Sequence, residues 1–107
     1  MDAMTGRVLS EVSGVLAADR EADFVEAYRR LVAGPLPDGL LRTELLRGSD
    51  HHWRVQSLWR DVATLQAVRA DPKTAAAPRL FREAGSEPSL EVFEVTVAQI
   101  GASGMPD

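Results

Sequence analysis

Two adjacent histidines and two tryptophans fall within Gly48–Asp61, GSDHHWRVQSLWRD. Histidine titrates near neutrality and is the commonest metal ligand, so His51-His52 is the first place where chemistry could reside. Neighbours in an extended segment point to opposite sides, so the pair does not converge on one ion. No further ligands stand at a recognisable metal-binding spacing, and no metal site is expected. The breaker cluster Gly48-Ser49-Asp50 places both histidines at a turn between strands, wet and mobile ground for a tuned base. The other reading has one histidine folding back over a cavity mouth.

Trp53 and Trp59 are evenly spaced along WRVQSLW and share a strand face with Val55 and Ser57. Core or interface packing accounts for Trp53. Trp59, at the strand end, either packs the core or lines a pocket for a flat substrate. Tyr28 lies on an apolar helix face, and its hydroxyl needs a partner if buried; facing the sheet, it could present that hydroxyl to a cavity. Phe24 and Phe81 either line the same cavity or pack the core. Arg42 and Glu44 fall on one strand face with Leu40 and Leu46. Charges there must pair with each other, reach an edge or line a wet cavity, and Glu11 and Ser13 raise the same question. A carboxylate in an apolar cavity would have a raised pKa and could act as a base. The candidate site residues are therefore Tyr28, Trp59 and Glu44 for catalysis, and Phe24, Tyr28, Arg42, Trp59 and Phe81 for a substrate pocket.

Composition removes several function classes. The chain has no cysteine, which excludes disulfides, thiolate nucleophiles and Cys-ligated metals. A net charge of −4 weighs against a nucleic-acid partner. Lys73 is the only lysine, and the arginines are scattered. There is no GxSxG, P-loop or GxGxxG. No signal-like or membrane-spanning apolar run is present, so a cytoplasmic location without membrane contact is expected.

The elements that must position these residues follow from periodicity. Residues 1–107 read as a single domain, with a core at about 8–100 and short flexible tails. VLSEVSGVL, Val8–Leu16, alternates as a strand buried partly on both sides. EADFVEAYRRLVA is an amphipathic helix, with Asp19 as its expected N-cap and Gly34-Pro35 as its stop. LLRTELLR, Leu40–Arg47, and Trp53–Trp59 form a hairpin. Asp61 is placed to cap the helix VATLQAVRA; a further helical piece, Lys73–Ala84, is broken or restarted by Pro78. LEVFEVTVAQI, Leu90–Ile100, is the last strand. The order is βαββαβ, a ferredoxin-like α+β fold with a four-stranded antiparallel sheet and helices on one face. The second face carries too much apolar surface to stay wet. The simplest cover is a second copy of the chain, giving a homodimer whose sheets face each other.

Over nearly its whole length, roughly Val8–Ile100, the sequence resembles the antibiotic biosynthesis monooxygenase family of dimeric α+β-barrel proteins. The resemblance lies in EADFVEAYRRLVA, PDGLLRTELLR and above all SLWRDVATLQAV, where a strand ends in Trp59 and a helix opens on Asp61. It implies a cofactor-independent monooxygenase or oxidase acting on a phenolic, anthrone or quinol-like substrate. Relatives often carry Glu where this chain has Ser57, and His where it has Val68. The haem-degrading branch uses an Asn, a Trp and a His at positions matching Val12, Val68 and Pro78, so that mechanism is not expected here. Two other readings stand beside the enzyme: a non-catalytic dimeric module for a small aromatic or lipid-like ligand, and haem binding without degradation through His51 or His52.

Overall fold

The computed structural model describes residues 4–101, so the outermost parts of both expected tails lie outside the described residues. Four strands, β1 (Val8–Val15), β2 (Leu40–Arg47), β3 (His52–Trp59) and β4 (Ser89–Glu94), form one sheet in the order β2-β3-β1-β4. All three pairings are antiparallel. Helices α1 (Glu21–Ala33), α2 (Val62–Ala70) and α3 (Ala76–Glu83) complete the chain. This is the ferredoxin-like α+β arrangement that the order of elements predicts.

Strict alternation decides which side chains face the helices. On β1, Val8, Ser10 and Val12 are buried, and on β3 so are Trp53, Val55, Ser57 and Trp59. One core cluster joins Val12, Leu16, Phe24, Tyr28, Trp53, Val55, Leu80 and Phe81; a smaller one joins Val8, Trp59 and Leu65. Phe24 lies 4.7 Å from Phe81 and meets Trp53 edge-on at 6.0 Å, an arrangement that suits the ring quadrupoles. Gly14 lets Phe81 reach the sheet, since a Cβ there would stand 3.1 Å from its ring.

Four local expectations change. Asp19 does not cap α1; it sits in a 3₁₀ turn, Ala18–Arg20, and Arg20 precedes the helix without a side-chain cap. Pro78 does not break the third helix. It occupies the first turn of α3, where its missing N–H removes no helical bond, and residues before Ala76 form a turn closed by Thr74 N–H to Asp71 carbonyl at 2.9 Å. The last strand ends at Glu94 rather than Ile100. Its neighbour β1 begins at Val8; one more backbone bond, Val95 N–H to the Arg7 carbonyl at 3.0 Å, extends the pairing, and Gly6 (φ 78°) interrupts the extended backbone beyond it. Finally, β2 carries a bulge between Leu40 and Arg42. Leu40 opposes Trp59 on the helix side while Arg42 opposes Leu58 on the other, so Leu40 does not share a face with Arg42 and Glu44.

Asp61 caps α2 as its position suggests, accepting from Thr64 N–H at 2.8 Å. Gly39 adopts φ 88° immediately before β2, and a Cβ there would collide with the Thr64 side chain. That glycine lets the start of β2 lie against the first turn of α2. No described helix is long and apolar enough to cross a membrane.

Candidate functional site

Between the sheet and the helices lies a cavity of about 310 Å³. Its floor is the buried helix-side face of the sheet: Ser10 and Val12 from β1, Val55, Ser57 and Trp59 from β3, and Thr43 from β2. Tyr28 and Leu31 from α1 form one wall, and Leu65, Val68 and Arg69 from α2 another. The exposed residues Leu36, Lys73, Thr74 and Arg79 border it toward solvent. The α2–α3 connection on that side is held by Thr74 Oγ1, which donates to the Val68 carbonyl at 2.7 Å.

Polar atoms on this floor are organised. Tyr28 Oη and Thr43 Oγ1 are 2.9 Å apart, and Thr43 Oγ1 and Ser57 Oγ are 3.0 Å apart, a chain of three hydroxyls. Thr43 and Ser57 are direct cross-strand partners, so the register of β2 and β3 builds the second link. Trp59 Nε1 donates to Ser10 Oγ at 2.9 Å. Burial pushes the Tyr28 phenol above its ordinary pKa, with the Thr43 hydrogen bond opposing and Glu44 adding to the rise. Tyr28 is thus a hydrogen-bond donor at neutral pH, not a base.

Of the sequence candidates, Tyr28 and Trp59 line this cavity and the others do not. Phe24 and Phe81 are core residues packed on each other beside it. Arg42 and Glu44 lie on the opposite face of the sheet, because of the bulge, and pair with each other at 2.7 Å. Glu44 is therefore not a cavity base. Glu11 is likewise on that face and pairs with Arg54 at 3.2 Å.

His51 stands in the hairpin turn with φ 63°, and His52 is the first residue of β3. His51 Nδ1 lies 3.3 Å from Glu21 Oε1, and the other oxygen of Glu21 accepts from Trp53 Nε1 at 2.7 Å. The Trp53 hydrogen bond is the main reason the Glu21 carboxyl titrates below its ordinary value, with His51 and Arg47 assisting against partial burial. His51 thus helps tie the hairpin to α1 and lines no part of the cavity. Among the described residues, no three His, Asp or Glu converge on a point that could hold a metal ion.

Three cavity residues escaped sequence reasoning. Thr43 became visible only through register, since it stands between Arg42 and Glu44. Ser10 is recognised only by its bond to Trp59. Arg69 reads in sequence as a basic residue closing a helix, yet its Nη2 is enclosed and has no hydrogen-bond partner among the described residues. Val12, Val68 and Pro78, where the haem-degrading branch would carry its functional side chains, all line the cavity. Among the described residues, no carboxylate or imidazole does.

No protein-family model and no curated protein matches this sequence. The fold, however, recurs among solved structures. A candidate antibiotic biosynthesis monooxygenase from Caulobacter crescentus is similar at a TM-score of 0.70 and 16% identity, over 86% of this chain and 92% of that one. One from Deinococcus radiodurans has a TM-score of 0.71 and 16% identity, over 86% and 95%. SnoaB of Streptomyces nogalater, a cofactor-independent oxygenase, in a mutant form has a TM-score of 0.68 and 19% identity, over 92% and 99%. The likeness to antibiotic biosynthesis monooxygenases therefore holds at the level of the fold.

Proposed function

We propose that this chain is an antibiotic biosynthesis monooxygenase that oxidises a small, electron-rich aromatic substrate with O₂ and without a cofactor. The observation that carries the reading is the cavity itself. It is a mainly apolar space left open by the surrounding rings, with the Trp59 ring and a set of hydroxyls on its floor.

In the reaction proposed, a phenolic or anthrone-like substrate loses a ring-activated proton, and the resulting carbanion gives one electron to O₂. The radical pair combines as a hydroperoxide, which loses water. A methylene becomes a carbonyl, one oxygen atom enters the product and the other leaves as water, so the four electrons taken by O₂ all come from the substrate. With no carboxylate or imidazole on its lining, the cavity would act by favouring the substrate anion, the proton passing to water. Tyr28, a donor backed by Thr43 and Ser57, and the cationic Arg69, Lys73 and Arg79 supply that preference. Trp59 would orient the ring plane, and the low-dielectric walls would strengthen these interactions.

A second reading, a non-catalytic module binding the same class of ligand, is favoured by one observation. Apolar Val12, Val68 and Pro78 stand where a haem-degrading relative would carry functional side chains. We further propose that the chain is a cytoplasmic homodimer. Val15, Leu41 and Phe93 are 63%, 53% and 45% exposed, a density of open apolar surface that a second sheet would cover.

Oxygen uptake by metal- and flavin-free protein, with a panel of anthrones and naphthoquinols, tests the enzyme reading. Uptake above the uncatalysed rate, reduced in Trp59→Phe or Tyr28→Phe, is the expected result. Uptake at the uncatalysed rate across the panel, with binding retained, would leave the module.

A further inference from the structure

Arg69 lies in the last turn of α2, in the cavity wall, and its guanidinium has no partner among the described residues. Nη2 is enclosed and makes no hydrogen bond, and no ion pair among the described residues includes this side chain. Arg82, in the last turn of α3, by contrast pairs with Glu87 at 3.3 Å. A guanidinium nitrogen enclosed among apolar neighbours without an acceptor is costly, because its two N–H donors have been withdrawn from water and bond to nothing. Burial accordingly lowers the Arg69 pKa. Such groups are usually either satisfied or reserved for a ligand.

The surroundings name the sign of that ligand. Arg69, Lys73 and Arg79 all line the cavity, and among the described residues no Asp or Glu does. The chain as a whole is acidic, with sixteen Asp and Glu against twelve Lys and Arg, so a lining whose charged members are all cationic runs against its composition. A planar fork with free donors matches a planar, two-oxygen acceptor.

Resting on the cavity as the ligand site, we infer that its ligand is an aromatic carboxylic acid and that Arg69 receives the carboxylate. Lys73 and Arg79 at the solvent border add to the positive potential, while the ring lies over the apolar floor. Arg69 is then a specificity residue: it selects acids over neutral molecules of the same shape.

The test compares 2-naphthoate with 2-naphthamide, which share a ring and differ in charge, by titration calorimetry on the wild-type chain, Arg69→Met and Arg69→Lys. In the wild type, naphthoate should bind about tenfold to a hundredfold more tightly than naphthamide, the range of a charge-assisted hydrogen bond. Arg69→Met should bring that ratio down to about threefold or less, the remainder from the potential of Lys73 and Arg79, and should weaken naphthoate far more than naphthamide; Arg69→Lys should keep an intermediate ratio. Without ligand, Arg69→Met should melt no lower than the wild type, since it removes an enclosed Nη2 that bonds to nothing. Equal binding of the two probes by the wild type would overturn the inference and leave the cavity as a binding site. Binding of neither would overturn both. A preference that persists undiminished in Arg69→Met would also overturn it, by moving the anion to Lys73 or Arg79. If Arg69→Met fails to fold, the wild-type ratio and its fall in Arg69→Lys still decide.

Discussion

Trp59 and Ser10 are joined diagonally across two strands. Trp59 opposes Val8 in the β1–β3 register, yet its indole N–H donates at 2.9 Å to Ser10, two residues further along β1. Diagonal neighbours of this kind are within reach only of long or aromatic side chains. The bond fixes the direction of the ring over the cavity floor, and it satisfies a buried donor and a buried hydroxyl together.

Replacing Trp59 by Phe should therefore do more than trim a ring. It leaves Ser10 without its donor, and the loss should be about 1–3 kcal/mol in urea unfolding. Ser10→Ala should give a loss of similar size, because the indole N–H is then the orphan. The double variant should be less destabilised than the sum of the two. Strict additivity would mean that the bond contributes nothing.

Tyr28 is the only tyrosine in the chain, so its ionisation can be followed alone by ultraviolet difference absorbance. Its pKa is raised from 10.0 by burial. A raised acid is stabilising below its unfolded pKa, and that contribution is lost as pH climbs through the folded value. The folded chain should stay un-ionised at pH values where the urea-unfolded chain has already lost its phenolic proton. Coincident titration curves would contradict the burial. Tyr28→Phe, keeping the Thr43–Ser57 bond, should cost about 1 kcal/mol.

Acid sensitivity should concentrate in two carboxylates. Glu21 is lowered mainly by the Trp53 N–H and Asp61 by the Thr64 hydroxyl and N–H. Depressed acids stabilise the fold above their unfolded pKa, and that stabilisation disappears as pH falls through the folded value, below about pH 4. Glu21→Gln and Asp61→Asn should each flatten the loss of melting temperature on that limb. An unchanged slope in both variants would place the acid transition elsewhere.

Light scattering at micromolar concentration should give twice the chain mass. Phe93→Glu, on the open face opposite Leu9, should shift the mass to that of one chain without unfolding it. A wild-type monomer would overturn the homodimer.

The sequence disclosed the order of elements because its signals were local. Asp61 before an apolar-periodic run gave the α2 cap, and the Gly48–Asp50 cluster gave the hairpin. Tyr28 and Trp59 could be placed at the cavity because helix and strand periodicity set their faces. Arg42 and Glu44 were misplaced because a bulge leaves no mark in alternation. The end of β4 was missed because Val95, Val97 and Ile100 continue the strand pattern after its partner strand has run out. Arg69 was passed over because an unpaired guanidinium is defined by what surrounds it, and helix-end arginines are ordinary.

Strand β2 is written in two reading frames spliced at Leu41. Before the splice the even-numbered Leu40 faces the helices; after it the odd-numbered Thr43 and Leu45 do, opposite Ser57 and Val55. Leu41 is the surplus letter, 53% exposed. The chain could lose it and both frames would still read correctly, whereas losing any one residue from Thr43 to Leu46 would invert part of the message. Parity, not composition, keeps a hydroxyl rather than an ion pair under the cavity.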